Sequence, residues 1–189
     1  MNSADNNKAL VVVDMLYDFI DGSLACGNAV NAVAMVVQYI NSHQNLKVQY
    51  VLDHHPENHC SFEKNGGVWP VHCVAGTKGG AIHEAFYNLE NEAQRPSEAN
   101  CFYKGTDPAV EQYSGFDARD VNGLPLNDVL PEDVRVCGIA TEYCVLNTCK
   151  DLINAGHDVE LLVDGLGFVD FDGHKNALGE LEASGVTLV

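Results

Sequence analysis

The sequence predicts an α/β fold in a single domain, with a mostly parallel sheet covered by helices. Two observations support this. Short, branched apolar runs alternate with segments of helical periodicity, and a length of 189 residues suits one well-filled core rather than two ordinary domains. Strands joined in this way run parallel, and their ligands bind beyond the carboxyl ends of the strands. We therefore expect functional residues at that edge of the sheet.

Six segments are predicted to be strands. Four are apolar runs typical of strands buried on both faces, and two are weaker candidates: residues 9–13, 48–52, 134–137 and 159–163, then 101–103 and 186–189. Helical periodicity marks three longer segments and one short piece: residues 30–40, 144–155 and 174–183, then 81–89. Residues 1–8 are polar and are expected to be disordered or poorly ordered, so the domain should span residues 9–189.

The chain is strongly acidic, with 27 Asp and Glu residues against ten Lys and Arg and a formal net charge of −17. Such a field repels a phosphate backbone and an anionic membrane surface, which argues against nucleic acid and membranes as partners. No stretch approaches the roughly 18 apolar residues of a membrane span, and the start lacks the apolar run of a signal peptide. Seven cysteines without a CxxC pair fit reduced thiols in a cytoplasmic protein. The oligomeric state, including a homo-oligomer, stays open.

Three reactive side chains follow predicted strands. Asp14 ends the first strand, Lys104 directly follows residues 101–103, and Cys144 comes shortly after the strand at 134–137. Because the carboxyl ends of parallel strands meet at one edge of the sheet, we expect these side chains to converge. An aspartate at the end of a strand could equally be a cap or turn residue, but the nearby lysine and cysteine favour a catalytic role.

Cys144 lies in a segment that is interpreted as a tight turn leading into a helix, with Thr141 as the N-cap. Unpaired N–H groups and the helix dipole at such a position lower the pKa of a thiol and favour a nucleophilic thiolate. The N–H groups of Ala140 and Cys144 could also bind the oxyanion of a tetrahedral intermediate. The other six cysteines are interpreted as small buried hydrophobic residues, which is the commonest state of cysteine.

A second group of residues is typical of a metal site. Asp53 and His55 stand two apart at the end of the second predicted strand, so both side chains point the same way, roughly 6.5–7 Å apart. His72 lies in the same long excursion and supplies a third ligand, while His59 and Glu63 are candidates for additional ligands. A mixed carboxylate and imidazole set suits a divalent ion, with zinc our first expectation and iron or manganese the alternatives.

Five stretches of the chain together resemble the nicotinamidases of the isochorismatase-like hydrolase superfamily, and the likeness runs from about Ala9 to Val189. In the family's order they are 10–19 (LVVVDMLYDF), 53–62 (DHHPENHCSF), 69–74 (WPVHCV), 102–105 (FYKG) with 113–116 (YSGF), and 138–145 (GIATEYCV). Each motif alone is moderately specific, and five in this order are highly specific. One departure is Leu16, where the family commonly carries glutamine.

The resemblance implies a Rossmann-like, six-stranded parallel sheet with helices on both faces. It implies a catalytic triad of Asp14, Lys104 and Cys144, and a cis peptide between Ile139 and Ala140 that shapes the oxyanion hole. The implied activity is hydrolysis of nicotinamide to nicotinate and ammonia through a cysteine thioester, in NAD salvage. It requires one divalent metal ion, and the implied contacts are Asp53, His55 and His72 for the metal and Phe19, Trp69, Tyr113 and Ile139 for the substrate.

Two other interpretations stay open. A cysteine hydrolase of the same superfamily that acts on a carbamoyl or ureido substrate would share the triad but generally lack the metal ligands. A non-catalytic relative would bind a metal or ligand without catalysing a reaction. The intact triad argues against this interpretation. Isochorismatases lack the nucleophilic cysteine. Metal content and ammonia release from nicotinamide distinguish these proteins.

Overall fold

A computed structural model describes residues 8–189, so the expectation of disorder for residues 1–7 lies outside the described part of the chain. Six strands are present: β1 (Lys8–Val13), β2 (Lys47–Asp53), β3 (Cys101–Lys104), β4 (Asp133–Gly138), β5 (Asp158–Leu166) and β6 (Thr187–Leu188). They form one sheet in the order β3-β2-β1-β4-β5-β6, and every neighbouring pair is parallel. The predicted six-stranded parallel sheet is confirmed.

Four α-helices accompany the strands: α1 (Tyr17–Ile20), α2 (Ala29–Ser42), α3 (Leu146–Asn154) and α4 (Phe171–Ala183). A π-helical turn, Thr141–Val145, leads directly into α3. The predicted helical piece at 81–89 contains only the 3₁₀ turn Glu84–Asn88, and α1 was not predicted because one turn is too short to show a periodic pattern. No helix within residues 8–189 is both long and apolar enough to cross a membrane.

Helices cover both faces of the sheet. Leu10 and Val12 of β1 pack into one apolar cluster with the buried face of α2, whereas Val11 and Val13 pack into a second cluster with residues of α3 and α4. Successive side chains of a strand point to opposite faces, so a strand covered on both faces is apolar throughout. This explains why β1 has a continuous apolar sequence.

The position of the site follows from the strand order. The chain moves from β1 outward to β2 and β3, then returns to β4 on the other side of β1. Connections that leave neighbouring strands in opposite directions open a crevice at the carboxyl ends of those strands. Asp14 directly follows β1 and Cys144 lies shortly after β4, so both border this crevice.

The stability of the fold depends on the centre of the sheet, and the substitution Leu10→Ala tests this. The Leu10 side chain is fully buried in β1, and we expect its truncation to lower the free energy of unfolding by about 2–5 kcal/mol. Val30→Ala is the matched control, since Val30 in the first turn of α2 is 66% exposed and should change stability by less than about 0.5 kcal/mol. Urea denaturation measures both, and equal losses would contradict the described core.

Candidate active site

Lys104 lies at the centre of a buried group of reactive side chains. Its Nζ is 2.9 Å from Asp14 Oδ2, 2.5 Å from Asp53 Oδ1 and 3.4 Å from Cys144 Sγ. All four residues are buried, and a carboxylate oxygen of Asp14 lies within 4.8 Å of the sulfur. Asp14 after β1, Cys144 after β4 and Lys104 at the end of β3 therefore share one pocket with the aspartate that ends β2.

The backbone around Asp14 is specialised. Its φ of 50° lies in the left-handed region that residues other than glycine rarely adopt. Asp14 Oδ1 accepts a hydrogen bond from the Asp53 N–H at 2.7 Å, and the Asp14 N–H donates to Val51 O at 2.9 Å. Leu16, the departure noted above, is fully buried in the core, and its N–H donates to Asp14 O at 2.8 Å. Apolar packing and backbone hydrogen bonds thus support the turn that presents the carboxylate.

The two carboxylates differ in electrostatic surroundings. Burial and the nearby Asp53 raise the pKa of Asp14 to about 6, although Lys104 opposes this rise. Burial alone would also raise the pKa of Asp53, but Lys104 and His55 outweigh burial and hold it below its usual value. Burial alone would lower the pKa of Lys104, yet Asp14 and Asp53 raise it well above normal. A permanent cation therefore faces one firmly ionised carboxylate and one that can exchange a proton near neutral pH.

The turn that carries Cys144 differs from the predicted one. The N-cap is Ala140 rather than Thr141, and Thr141 instead donates its side-chain hydroxyl to Gly167 O at 2.9 Å. Burial raises the pKa of the Cys144 thiol well above its usual value and outweighs Lys104. Burial thus reverses the lowering of the thiol pKa that was expected from the helix terminus. The peptide bond between Ile139 and Ala140 is cis.

Asp53, His55 and His72 form a second group, each offering a ligand atom within 4.8 Å of the others. The ring nitrogens are oriented for a metal, since His55 Nδ1 donates to Gly105 O at 2.9 Å and His72 Nδ1 donates to Pro70 O at 2.8 Å. These bonds direct both Nε2 atoms toward the group, with His55 Nε2 3.4 Å from Asp53 Oδ2, and backbone carbonyls orient metal-binding histidines in this way.

The surroundings of these ligands also fit a divalent ion. Burial lowers the pKa of His72 and so favours the neutral imidazole that a metal requires. A side chain at Gly105, whose φ is 62°, would place Cβ 2.6 Å from His55 Nδ1, so only glycine allows this close approach. The carboxylate and two imidazoles therefore suit zinc, iron or manganese, as expected from the sequence.

The two candidate additional ligands are not part of this group. His59 is buried with its ring centroid 4.1 Å from that of His55, but its Nδ1 bonds to Ser61 and its Nε2 to Val110 O. Glu63 is exposed and begins a 3₁₀ turn that directs it to solvent. Neither residue joins the ligand group here, because both ring nitrogens of His59 are hydrogen-bonded elsewhere and Glu63 is exposed.

A further set of potential ligand atoms consists of Asp14, Asp53 and Cys144. The Lys104 ammonium already lies against all three of these residues. A second cation among the same atoms would be repelled by the first. We therefore assign this set to proton transfer and nucleophilic chemistry rather than to metal binding.

A cavity that is partly open to solvent has Cys144 in its lining. Phe19, Trp69 and Tyr113 line it as expected, and the Trp69 indole N–H donates to the Tyr113 hydroxyl at 3.2 Å. Ile139 was expected beside the substrate, but it is fully buried in the core and is not part of the cavity lining. Its place is taken by the next residue, Ala140.

Four lining residues were not predicted: Leu24, Glu111, Tyr143 and Val169. Val169 is held in place by Glu142, whose Oε1 accepts hydrogen bonds from the N–H groups of Val169 and Asp170 at 2.8 and 2.7 Å. The turn that carries the thiol thus also fixes one wall of the cavity. No signal in the sequence connects residues this far apart, although Tyr143 directly precedes Cys144 and could have been suspected.

Known proteins resemble this chain in both sequence and fold. A family model described as the isochorismatase domain matches residues 8–189. The chain belongs to the isochorismatase family. Two relatives of this family member are the nicotinamidase/pyrazinamidase of Mycobacterium tuberculosis, 35% identical, and the nicotinamidase of Escherichia coli, 30% identical. The alignments cover 96% of this chain in both cases, and 98% and 93% of the relatives.

Solved structures of isochorismatase-like enzymes share the whole fold. The pyrazinamidase of Pyrococcus horikoshii in complex with zinc is 34% identical with a TM-score of 0.80, covering 97% of this chain and 98% of that one. PnC1 from L. infantum in complex with nicotinate is 30% identical with a TM-score of 0.79, covering 100% and 95%. The likeness extends over nearly the full length of each chain.

Proposed function

We propose that this chain is a metal-dependent amidohydrolase that converts nicotinamide to nicotinate and ammonia in NAD salvage, with pyrazinamide as a second substrate. The observation that carries the proposal is the buried contact of Lys104 with Asp14 and Cys144 beneath a largely apolar cavity, beside a metal-ligand set. The names of the relatives, a nicotinamidase/pyrazinamidase and a nicotinamidase, support the substrate class. Residence in the cytoplasm stays a prediction.

In the proposed reaction Asp14 accepts the thiol proton while the sulfur attacks the carboxamide carbon. Lys104 stabilises both the carboxylate before transfer and the thiolate as it forms. The N–H groups of Ala140 and Cys144 face the oxyanion of the tetrahedral intermediate. Asp14 then protonates the departing ammonia, leaving a thioester. In the second half it accepts a proton from the attacking water, and as the C–S bond breaks and nicotinate is released it returns that proton to the sulfur. One carboxylate serves both halves of the reaction.

Asp53, His55 and His72 would hold the metal, and zinc is proposed because the P. horikoshii pyrazinamidase was crystallised with zinc. When bound, a divalent ion would supply a Lewis-acidic point that holds the pyridine nitrogen and directs the amide toward Cys144. Phe19, Trp69 and Tyr113 would surround the ring on its apolar sides.

The pKa of Asp14 gives this mechanism a pH dependence. Because protonated Asp14 cannot accept the thiol proton, we expect kcat/KM for nicotinamide to fall as the pH decreases through about 6. Initial rates are measured with zinc added in excess, and the bound metal is measured at each pH. This separates protonation of Asp14 from loss of the metal. A rate that stays constant through pH 6 at full metal content would argue against Asp14 as the base.

The proposed function is tested by ammonia release from nicotinamide and from a ureido compound, with turnover of isochorismate, which contains no nitrogen, followed separately by loss of the compound. We expect ammonia from nicotinamide alone, with metal analysis of the same sample giving one equivalent of bound metal. Ammonia from the ureido compound but not from nicotinamide would favour the related cysteine hydrolase. Stoichiometric metal without turnover of any compound would favour the non-catalytic relative.

A further inference from the structure

The metal ligand His72 is held on both sides by one short segment of the chain, residues 18–23. Asp18 Oδ2 accepts a hydrogen bond from the N–H of Cys73 at 2.8 Å. The Ser23 hydroxyl donates to the carbonyl of Val71 at 2.7 Å. The backbone groups immediately before and after His72 are thus both bonded to side chains of this segment.

The hydrogen bond to Asp18 lies at a residue, Cys73, whose backbone conformation is unusual. Cys73 has a φ of 47°, in the left-handed region that residues with a Cβ rarely adopt. Its N–H points at a carboxylate, and hydrogen bonds to an ionised acceptor are stronger than those between neutral groups. The Asp18 carboxylate therefore stabilises the unusual turn that directly follows the metal ligand.

The surroundings leave the Asp18 carboxylate little freedom to move. A Cβ built at Gly79 would lie 2.1 Å from Asp18 Oδ2, and one built at Gly22 would lie 2.5 Å from Oδ1. The Asp18 N–H also donates to Gly79 O at 3.0 Å, and Asp18 Oδ1 accepts from the Ser23 N–H at 3.2 Å. The loop after His72 is thus packed onto this one side chain.

The same segment also contacts the His72 ring. Phe19, the neighbour of Asp18, lies with its ring centroid 5.5 Å from that of His72. The ring is also held by the hydrogen bond from its Nδ1 to Pro70 O. The orientation of Nε2 therefore depends on the backbone of residues 71–73, which Asp18 and Ser23 anchor.

We propose that Asp18 and Ser23 are positioning residues that set the metal affinity of the site through His72, without contacting the metal. This inference rests on the metal ligands of the proposed function. Removing a residue that orients a metal ligand without contacting the metal typically weakens metal affinity by about 10–100-fold. Asp18 should contribute more than Ser23, because its hydrogen bond is charge-assisted and holds the unusual turn.

The test measures the zinc dissociation constant of the full chain by competition with a chromophoric chelator. We expect Asp18→Ala to weaken zinc binding about 10–100-fold and Ser23→Ala to weaken it less. Asp18→Asn should be intermediate, since its amide oxygen can still accept from the Cys73 N–H. The matched control is Asp21→Ala, which removes an exposed carboxylate from the same segment and should leave zinc affinity unchanged.

Zinc affinity equal to wild type in Asp18→Ala, or an equal loss in Asp21→Ala, would overturn the inference. If Asp18→Ala does not fold, as judged by circular dichroism, the zinc affinities of Asp18→Asn and Ser23→Ala are compared with that of Asp21→Ala. Weaker zinc binding in the first two variants supports the inference, and affinities equal to that of Asp21→Ala overturn it. His72→Ala separates this inference from the proposed function. Unchanged zinc affinity in His72→Ala would refute the ligand set itself, whereas loss there with none in Asp18→Ala would refute only the positioning role.

Discussion

We expect the substitution Cys144→Ala to lower kcat for nicotinamide by about 10⁴-fold or more while the protein keeps its metal. The thiol is the only proposed nucleophile, and the variant has no sulfur beside Lys104 and Asp14 to attack the carboxamide. The proposed metal ligands are Asp53, His55 and His72, so loss of the sulfur leaves that set intact. Steady-state ammonia release and metal analysis on one preparation measure both effects.

Cys149→Ala is the control for this experiment. Cys149 is a fully buried cysteine within α3, and it is not part of the cavity lining. Its truncation should cost some stability but leave kcat near the wild-type value. Hydrolysis by Cys144→Ala at a rate close to that of Cys149→Ala would refute the covalent route.

The substitution Lys104→Met should abolish turnover and also destabilise the metal-free protein by about 3–5 kcal/mol. Lys104 is the cation shared by two buried carboxylates, and its removal leaves Asp14 and Asp53 close together without compensation. Such a loss reflects uncompensated buried charge rather than lost packing, because methionine fills a similar volume. Denaturant unfolding after chelation measures it, and added zinc should recover part of the stability.

A surface pair provides the comparison. Lys150 Nζ lies 2.5 Å from Glu180 Oε1, but these side chains are 41% and 48% exposed. Lys150→Met should therefore cost less than about 1 kcal/mol and leave turnover unchanged. If Lys104→Met were no more destabilised than Lys150→Met, the buried charge network described above would be wrong.

Much of the fold could be predicted because β1 and β2 are buried along nearly their whole length, and because β1, β2, β4 and β5 all contain short runs rich in branched apolar residues. The crossover rule then places the ends of these strands at one edge, which is why Asp14, Lys104 and Cys144 could be grouped before any coordinates. Asp53 and His55 could be paired for a similar reason, since an extended strand directs alternate residues the same way.

The details that sequence could not provide depend on loops and on burial. His59 and Glu63 resemble ligands by proximity along the chain, but both ring nitrogens of His59 are hydrogen-bonded elsewhere and Glu63 is exposed. The raised pKa of Cys144 follows from the packing around the sulfur, which a helix-terminus argument does not include. Glu142 and Asp18 act through hydrogen bonds to distant backbone groups, for which a single sequence contains no signal.

The covalent role of Cys144 is tested most directly by mass spectrometry of the wild-type chain, quenched in acid during turnover of nicotinamide. The proposed mechanism predicts a mass increase of one nicotinoyl group, located on the peptide that contains Cys144 and absent from the variant Cys144→Ala. An adduct on any other residue, or sustained ammonia release by Cys144→Ala, would contradict it.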